Sequence, residues 1–414
     1  MRSAEAHAAV IERPIASLWP LYAVIFVGFI GYSLMITVFT PMLLRGDSAM
    51  LPVSATTAHR TIVLGILLCL YPLGQFIGSP ILGAWSDRFG RRPVLLASLT
   101  ATTACYAVIG AALGLSNLLL LGVASLAAGL AEANVVTAQS AITDLVPPAE
   151  RNRYFGYVYM SASLAYIVGP LVGGKLADPQ VASWSGAATP FWVVFLLLIA
   201  TTIAVLLRFK ETRSAAAGRA ASGWTAAFAS LSIVVADRRL RRFYGVNFLI
   251  YIAIFGFFRS YPMYLVDRFH LRVSAVSEFI AWVGVPIVLA NLWMTGFLTA
   301  RVSVRSLTIW SAALTGLCMA AIVVPGGEAA LWPLLFVTAA GLAVCLPSCA
   351  TLLSNAAEGG DQGRVMGTNQ AIQVGAEALS GLAAGLLAAM VIKLPLLVLG
   401  GTAVAAALLV ALVV

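Results

Sequence analysis

Charge is what this sequence has least of. Asp, Glu, Lys and Arg together make up 10% of its 414 residues, where a soluble domain carries roughly 25%. That shortage excludes a water-facing globular protein, since there are too few polar groups to cover its surface. Cysteine is scarce as well: Cys69, Cys105, Cys318, Cys345 and Cys349 all fall inside apolar runs. Buried thiols act as small apolar fillers, so no disulfide framework is expected. The three histidines, His7, His59 and His270, are scattered. Neither a metal cluster nor a nucleophile–base pair emerges, so no metal, no cofactor and no enzymatic chemistry is expected.

What is present in quantity is hydrocarbon: 61% of residues belong to the hydrophobic class. A helix crosses a bilayer core of about 30 Å with about 20 apolar residues. Twelve such runs can be counted, at about 18–43, 60–84, 93–115, 117–143, 154–177 and 189–208, then 243–266, 274–299, 304–324, 330–353, 364–390 and 394–414. The first run is too long for a cleaved signal peptide and is read as a span. The expected fold is an all-α membrane protein with an even number of spans and both termini on one side.

Eighteen of the 25 Lys and Arg residues fall on a single face of that topology, among them Arg88, Arg91, Arg92, Arg153, Arg241, Arg242, Arg301 and Arg305. Six fall on the other face, and Arg259 lies within a span. The positive-inside rule places the basic face in the cytoplasm. The net charge of +9 thus reports topology, and no nucleic-acid partner is needed to explain it. A bacterial inner-membrane location follows as an expectation.

The chain also repeats itself. Asp144, Glu150, Arg153 and Gly156 after the fourth run recur as Asn355, Asp361, Arg364 and Gly367 after the tenth, each 211 residues on. Gly83 and Arg92 recur as Gly296 and Arg305, 213 residues on. Two six-helix halves, 1–208 and 243–414, are joined by a linker over 209–242. The linker closes on Asp237-Arg238-Arg239-Leu240-Arg241-Arg242. Trp224 and Phe228 within it fit either a short helix on the inner leaflet or a flexible joint.

Between the second and third runs stands Gly83-Ala84-Trp85-Ser86-Asp87-Arg88-Phe89-Gly90-Arg91-Arg92. This resembles the G-x-x-x-D-R-x-G-R-R signature of major facilitator transporters. The resemblance implies twelve helices in two pseudo-symmetric halves, a monomer, and a loop that latches the cytoplasmic side shut. Gly83 would let its helix approach the other half, Asp87 would sit at a positive helix N-terminus, and Arg88, Arg91 and Arg92 would bridge carboxylates and anionic lipid. Asp144, Glu150 and Arg153 belong to the same expected gate. The second copy has Ala300 in place of the acid, so a one-sided latch is expected. In the fifth run, Gly169-Pro170-Leu171-Val172-Gly173-Gly174 is similar to the G-P-x-x-G-G stretch of proton-driven drug antiporters; a generic small-residue packing face is the lesser alternative. The run from Gly169 to Lys175 also fits a nucleotide-cradling loop, but Leu176 stands where Ser or Thr is required, so an ion gradient is the expected energy source. Two departures from the efflux pattern stand out: Ile25 to Phe29 contains no acid, and Ser125 replaces an arginine before Gly129.

An ionised side chain at mid-bilayer costs about 2.5–3.5 kcal/mol on insertion scales, so each needs a reason. Glu132, Glu377 and Arg259 are the three that matter. The resemblance implies that helices 4 and 7 line a central cavity bordered by helix 11, so the three are expected to converge, with the glutamates exchanging protons and Arg259 binding substrate; the alternative is a salt bridge that only fixes packing. Asn134, Gln139, Asn247, Tyr251, Asn291, Gln370 and Gln373 would fill out a substrate site, though any one amide is more often helix–helix glue. Tyr32, Trp282 and Trp293 read first as lipid-facing or packing aromatics, with the lining of an amphiphilic substrate path as the alternative. The expected function is proton antiport of a small amphiphilic compound or drug. Proton-coupled uptake of an organic solute, such as a siderophore or anionic metabolite, is the alternative, and a ligand receptor a third.

Overall fold

The computed structural model describes residues 14–45, 49–147, 150–212, 238–356 and 362–413. The expected linker therefore lies mostly outside the described residues, Trp224 and Phe228 included. Twelve helices in the described residues are long and apolar enough to cross a membrane. In chain order they are α1 (Pro14–Leu44), α2 (Thr57–Phe89), α3 (Arg91–Gly114), α4 (Leu118–Leu145), α5 (Arg151–Leu176), α6 (Thr189–Arg208), α7 (Arg238–Phe269), α8 (Val273–Thr299), α9 (Val304–Ala321), α10 (Leu331–Ala356), α11 (Gln362–Met390) and α12 (Leu394–Val413). Several overrun the apolar stretches because polar caps end them in the interface. Thr56 accepts from the His59 N–H, Asn117 from Leu120 and Ser303 from Ser306, each satisfying an otherwise orphaned donor. Two spans are irregular. α4 breaks at Ala133, between Glu132 and Asn134, and α8 passes through a π-helical turn over Ala290–Met294.

The buried apolar residues gather into two large cores, one built mainly by α1–α6 and joined by Ala384 and Ala388 of α11, the other by α7–α10 and α12. α1 and α7 are the most buried spans. Between the two groups, α2 packs on α11 in the most extensive helix contact of the molecule, and α5 on α8 in the equivalent one. Helices in lipid gain nothing from burying apolar surface against each other, so close association rests on small residues that let backbones touch. A Cβ on Gly65 would lie 2.8 Å from the Gly381 carbonyl oxygen and from the Gly385 Cα, and one on Gly174 would lie 2.2 Å from the Ser277 Cβ.

All these contacts lie at the helix ends away from the basic loops. There Lys175 of α5 also pairs with Glu278 of α8, and the Ser274 hydroxyl donates to Asp178 at 2.5 Å. Burial pushes the Asp178 carboxyl up, but the Ser274 hydroxyl, backbone N–H groups and Arg272 outweigh it and hold it below its ordinary value. The anionic acceptor therefore persists into mild acid. At the basic end, by contrast, a Cβ on Gly83 or on Gly296 would meet nothing within 4 Å. Among the described residues, the close approaches between the halves at Gly65 and Gly174 thus lie on the face opposite the basic loops, and no such approach occurs at Gly83 or Gly296.

Because Gly65 faces backbone that cannot rotate aside, Gly65→Leu should wedge open the face opposite the basic loops. A cysteine placed at Thr61, buried in that seam, should then react with an impermeant maleimide roughly tenfold faster or more. An unchanged labelling rate would mean that this seam does not hold the face shut.

Candidate functional site

At the depth where the seam ends, three polar side chains from three helices meet. Arg259 of α7 is 1% exposed. Its Nη1 donates to the Phe255 carbonyl at 3.0 Å and its Nη2 to the Tyr32 hydroxyl at 2.7 Å. Tyr32, on α1, donates in turn to Glu377 Oε1 of α11 at 2.5 Å. Arg259 and Glu377 form an ion pair at 3.7 Å. One phenol thus bridges an acid and a base of the other half. Its ring is held by stacking on Tyr71 of α2 at 5.0 Å and by an edge contact with Tyr166 of α5 at 6.3 Å. Arg259 Nε has no partner among the described residues.

Glu132 does not join this cluster. It is buried within the first half, where the Tyr106 hydroxyl donates to Oε2 at 3.3 Å and Tyr71 is its other phenolic neighbour. Its Oε1 has no partner among the described residues. The carboxylate presses on α1 at Gly28, where an added Cβ would come within 2.6 Å of Oε1. The expected three-way convergence is therefore corrected to a pair plus a separate acid. The two acids are linked by the stacked rings, since Tyr71 neighbours Glu132 and Tyr32 binds Glu377. Tyr32 was read as a packing or lipid-facing aromatic, and its bridging role was missed. Its only sequence signal was a hydroxyl inside an apolar span that also holds Ser33 and Thr37.

The other expected ligands divide. Asn247 Nδ2 donates to Asn369 at 2.9 Å, and Asn369 Nδ2 to the Tyr251 hydroxyl at 2.7 Å, so Asn247 and Tyr251 clamp α7 to α11. Asn369 was not expected. Asn134 is buried beside the α4 break with Oδ1 unpartnered among the described residues. Gln139 and Gln373 are half-buried and Gln370 is exposed. The Asn291 side chain lies outside what is described. Trp282 packs, donating to the Trp332 carbonyl at 2.9 Å, whereas Trp293 is exposed.

At the basic face, Gly90 alone joins α2 to α3, at a φ of 100° that disfavours side-chain-bearing residues. Arg91 then reaches Asp87 at 2.8 Å, Asp144 at 2.9 Å and the Ser86 hydroxyl at 2.6 Å. Asp87 was expected at a helix N-terminus, but the acid found there is Glu211. It accepts from the Arg91 and Arg92 N–H groups at 2.9 and 3.0 Å, satisfying orphan donors at the positive end of α3. Arg92 donates to the Leu206 carbonyl of α6 at 2.8 Å. Arg88 lies over the Phe89 ring at 5.1 Å, Arg153 donates to the Tyr157 hydroxyl at 3.2 Å, and Glu150 is exposed before α5. In the second copy, Arg305 repeats the capping of a sixth helix, donating to Ala411 at 2.7 Å, while Arg301 lies 3.7 Å over the Phe297 ring. In the fifth span, Gly169 and Gly173 press on Ser33 and Leu34 of α1 and Gly174 on α8 of the other half, with Pro170 inside the helix.

Two six-helix groups, packed together at one face and holding a buried acid–base pair at their seam, have the architecture of a membrane transporter. The chain belongs to the Major Facilitator Superfamily, whose family model matches residues 21–289. It is 30% identical over 330 residues to the tetracycline resistance protein, class G, of Vibrio anguillarum, covering 79% of each chain. Over 191 residues it is 27% identical to multidrug resistance protein 2 of Bacillus subtilis (strain 168), covering 46% of this chain and 43% of that one. The fold matches the solved D-xylose–proton symporter with a TM-score of 0.74 at 17% identity, over 95% of this chain and 96% of that one. This is a family of transporters, not of enzymes.

Removing one member of a buried pair strands the other, at a cost of about 3–5 kcal/mol, whereas replacing both with apolar groups is close to neutral. Arg259→Met should therefore lower the melting temperature in detergent sharply, and Arg259→Met with Glu377→Met should recover most of the loss. Additive losses would show that the two side chains do not act as a pair.

Proposed function

We propose that this protein is a proton-coupled secondary transporter that exports a small amphiphilic organic compound, exchanging it for protons by alternating access. The observation that carries the proposal is the Tyr32–Glu377–Arg259 bridge. It joins the two halves through a titratable carboxyl in a place where water is scarce. A bond to a carboxylate is roughly twice as strong as one between neutral groups. Protonating Glu377 therefore weakens its hold on Tyr32 and releases Arg259, and the halves lose a tie across the seam. Deprotonation restores it. Arg259, with an unpartnered Nε, is the group an anionic or electron-rich substrate would engage, so substrate and the Glu377 carboxylate compete for one cation.

Glu132 is the second proton-carrying candidate. The first span has no acid between Ile25 and Phe29, and the Glu132 carboxylate instead reaches that stretch from α4 at Gly28. Gln139 and Gln373 are proposed as polar contacts along the substrate path, with Asn247 and Tyr251 as its braces. Asp87, Arg91 and Asp144 form the proposed gate of the basic face. The likeness to a tetracycline resistance protein over 79% of the chain supports the export direction, and the excess of Lys and Arg supports an inner-membrane orientation with the basic face and both termini in the cytoplasm.

In proteoliposomes carrying an internal pH dye, an imposed proton gradient should drive a candidate drug against the proton flux. Glu377→Gln and Glu132→Gln should each abolish substrate-dependent proton movement. Tyr32→Phe, which removes a hydrogen bond to a charged group, should slow it roughly tenfold or more. Proton and substrate moving in the same direction would establish uptake instead, and normal transport by both glutamine variants would make the acids structural.

A further inference from the structure

We infer that the basic end of the α7–α12 contact is a retention site for one anionic phospholipid. The first turns of α7 and the end of α12 leave a cavity of about 430 Å³ between them. Two adjoining stripes of α7 line it. Arg241, Gly245 and Phe248 form one, Arg242, Val246 and Leu249 the other, and Leu409 of α12 closes the far wall. Each stripe therefore begins with a guanidinium and continues as hydrocarbon. At about 1.5 Å per residue, Arg241 to Leu249 spans about 12 Å, enough to cover a substantial part of an acyl chain. Gly245 leaves the slot open, since a Cβ there would meet nothing within 4 Å. Beside the slot, Leu408, Leu409 and Leu412 are exposed on a helix that belongs in a bilayer. Whatever fills this groove is therefore bilayer material.

The sequence decides the sign of its headgroup. From Thr212 to Arg242 there are six arginines (Arg213, Arg219, Arg238, Arg239, Arg241 and Arg242) and one acid, Asp237. Six arginines against one acid give the segment a formal charge of +5. Each basic residue held near an anionic surface contributes about 1 kcal/mol of attraction. Arginine suits a phosphate in particular, because its planar fork binds two oxygens at once. An amphiphile with a phosphate at Arg241 and Arg242 and a chain along Phe248, Leu249 and Leu409 satisfies both ends of the groove together. A zwitterionic lipid fills the slot but gains little at the arginines.

Native mass spectrometry of the purified protein, titrated separately with phosphatidylglycerol and phosphatidylcholine, tests this. Two variants attack the site independently. Arg241→Gln with Arg242→Gln removes the charge, and Gly245→Trp fills the slot at an exposed position with open space around it. Wild type should retain one phosphatidylglycerol more than either variant, with affinity for that molecule roughly tenfold or more above theirs. Phosphatidylcholine binding should be equal in wild type and the glutamine variant, and the unfolding transitions of all three proteins should match. Equal retention of phosphatidylglycerol by all three overturns the inference. So does its loss in the glutamine variant alone, which reduces the effect to general surface charge, and so does equal wild-type affinity for both lipids.

Discussion

A guanidinium in a hydrocarbon slab has nowhere to put its charge except on another part of the protein. Arg259 cannot lose its proton, so burial to 1% exposure obliges the fold to supply acceptors around it. The fold supplies three: a carbonyl of its own helix, the phenol of Tyr32 and the carboxylate of Glu377. Only Tyr32 belongs to the other half. Any rotation that opens the face opposite the basic loops must carry α1 away from α7 and α11, and so must break both bonds of that phenol. Charge compensation and the conformational change are therefore one event. Anything that lowers the cost of releasing Tyr32, whether a proton on Glu377 or a ligand on Arg259, shifts the balance between the two closures.

The two faces close by different physics. On the face opposite the basic loops, backbones approach at Gly65, Gly381, Gly385 and Gly174, with a Lys175–Glu278 pair at the rim. That contact rests on dispersion at short range and is nearly all-or-none, because a small separation forfeits much of it. The basic face instead carries a charged cluster around the buried Arg91, held by ion pairs and hydrogen bonds to Asp87, Asp144 and Ser86. For the proposed alternating access, a stiff, short-range seal on one face and an electrostatic cluster on the other would let the two faces respond differently to a separation of the halves.

How much of this could be read from the residues varies with the kind of signal. The twelve spans were legible because hydrocarbon thickness imposes a length that composition cannot disguise. Arg259 and Glu377 were legible as a pair in search of partners, because a charge inside an apolar run is anomalous on its own. Their partner Tyr32 was not, since tyrosine is common in membrane helices and its bonds cross 345 and 227 positions of sequence. Glu132 was legible as an anomalous charge but was given the wrong neighbours, because the direction it faces depends on how α4 breaks at Ala133. Glu211 was missed for a similar reason. It lies in an unremarkable stretch after α6 and finds the N-terminus of α3 only through tertiary packing.

The repeat separates what the fold needs in both halves from what only one half carries. Arg92 and Arg305 stand in equivalent places, and each donates to the last carbonyls of the sixth helix of its half. Those carbonyls are orphaned at any helix end, so the same demand arises twice and the same residue meets it twice. The Asp87–Arg91–Asp144 cluster has no such duplicate: Ala300, Val304 and Asn355 occupy its equivalent positions. A helix-capping duty that falls on both halves keeps both copies, whereas the Arg91 cluster ties α2, α3 and α4 within the first half alone. The asymmetry therefore sets Arg92 and Arg305, which meet a demand of the fold that arises twice, apart from the Arg91 cluster, which the second half does not repeat.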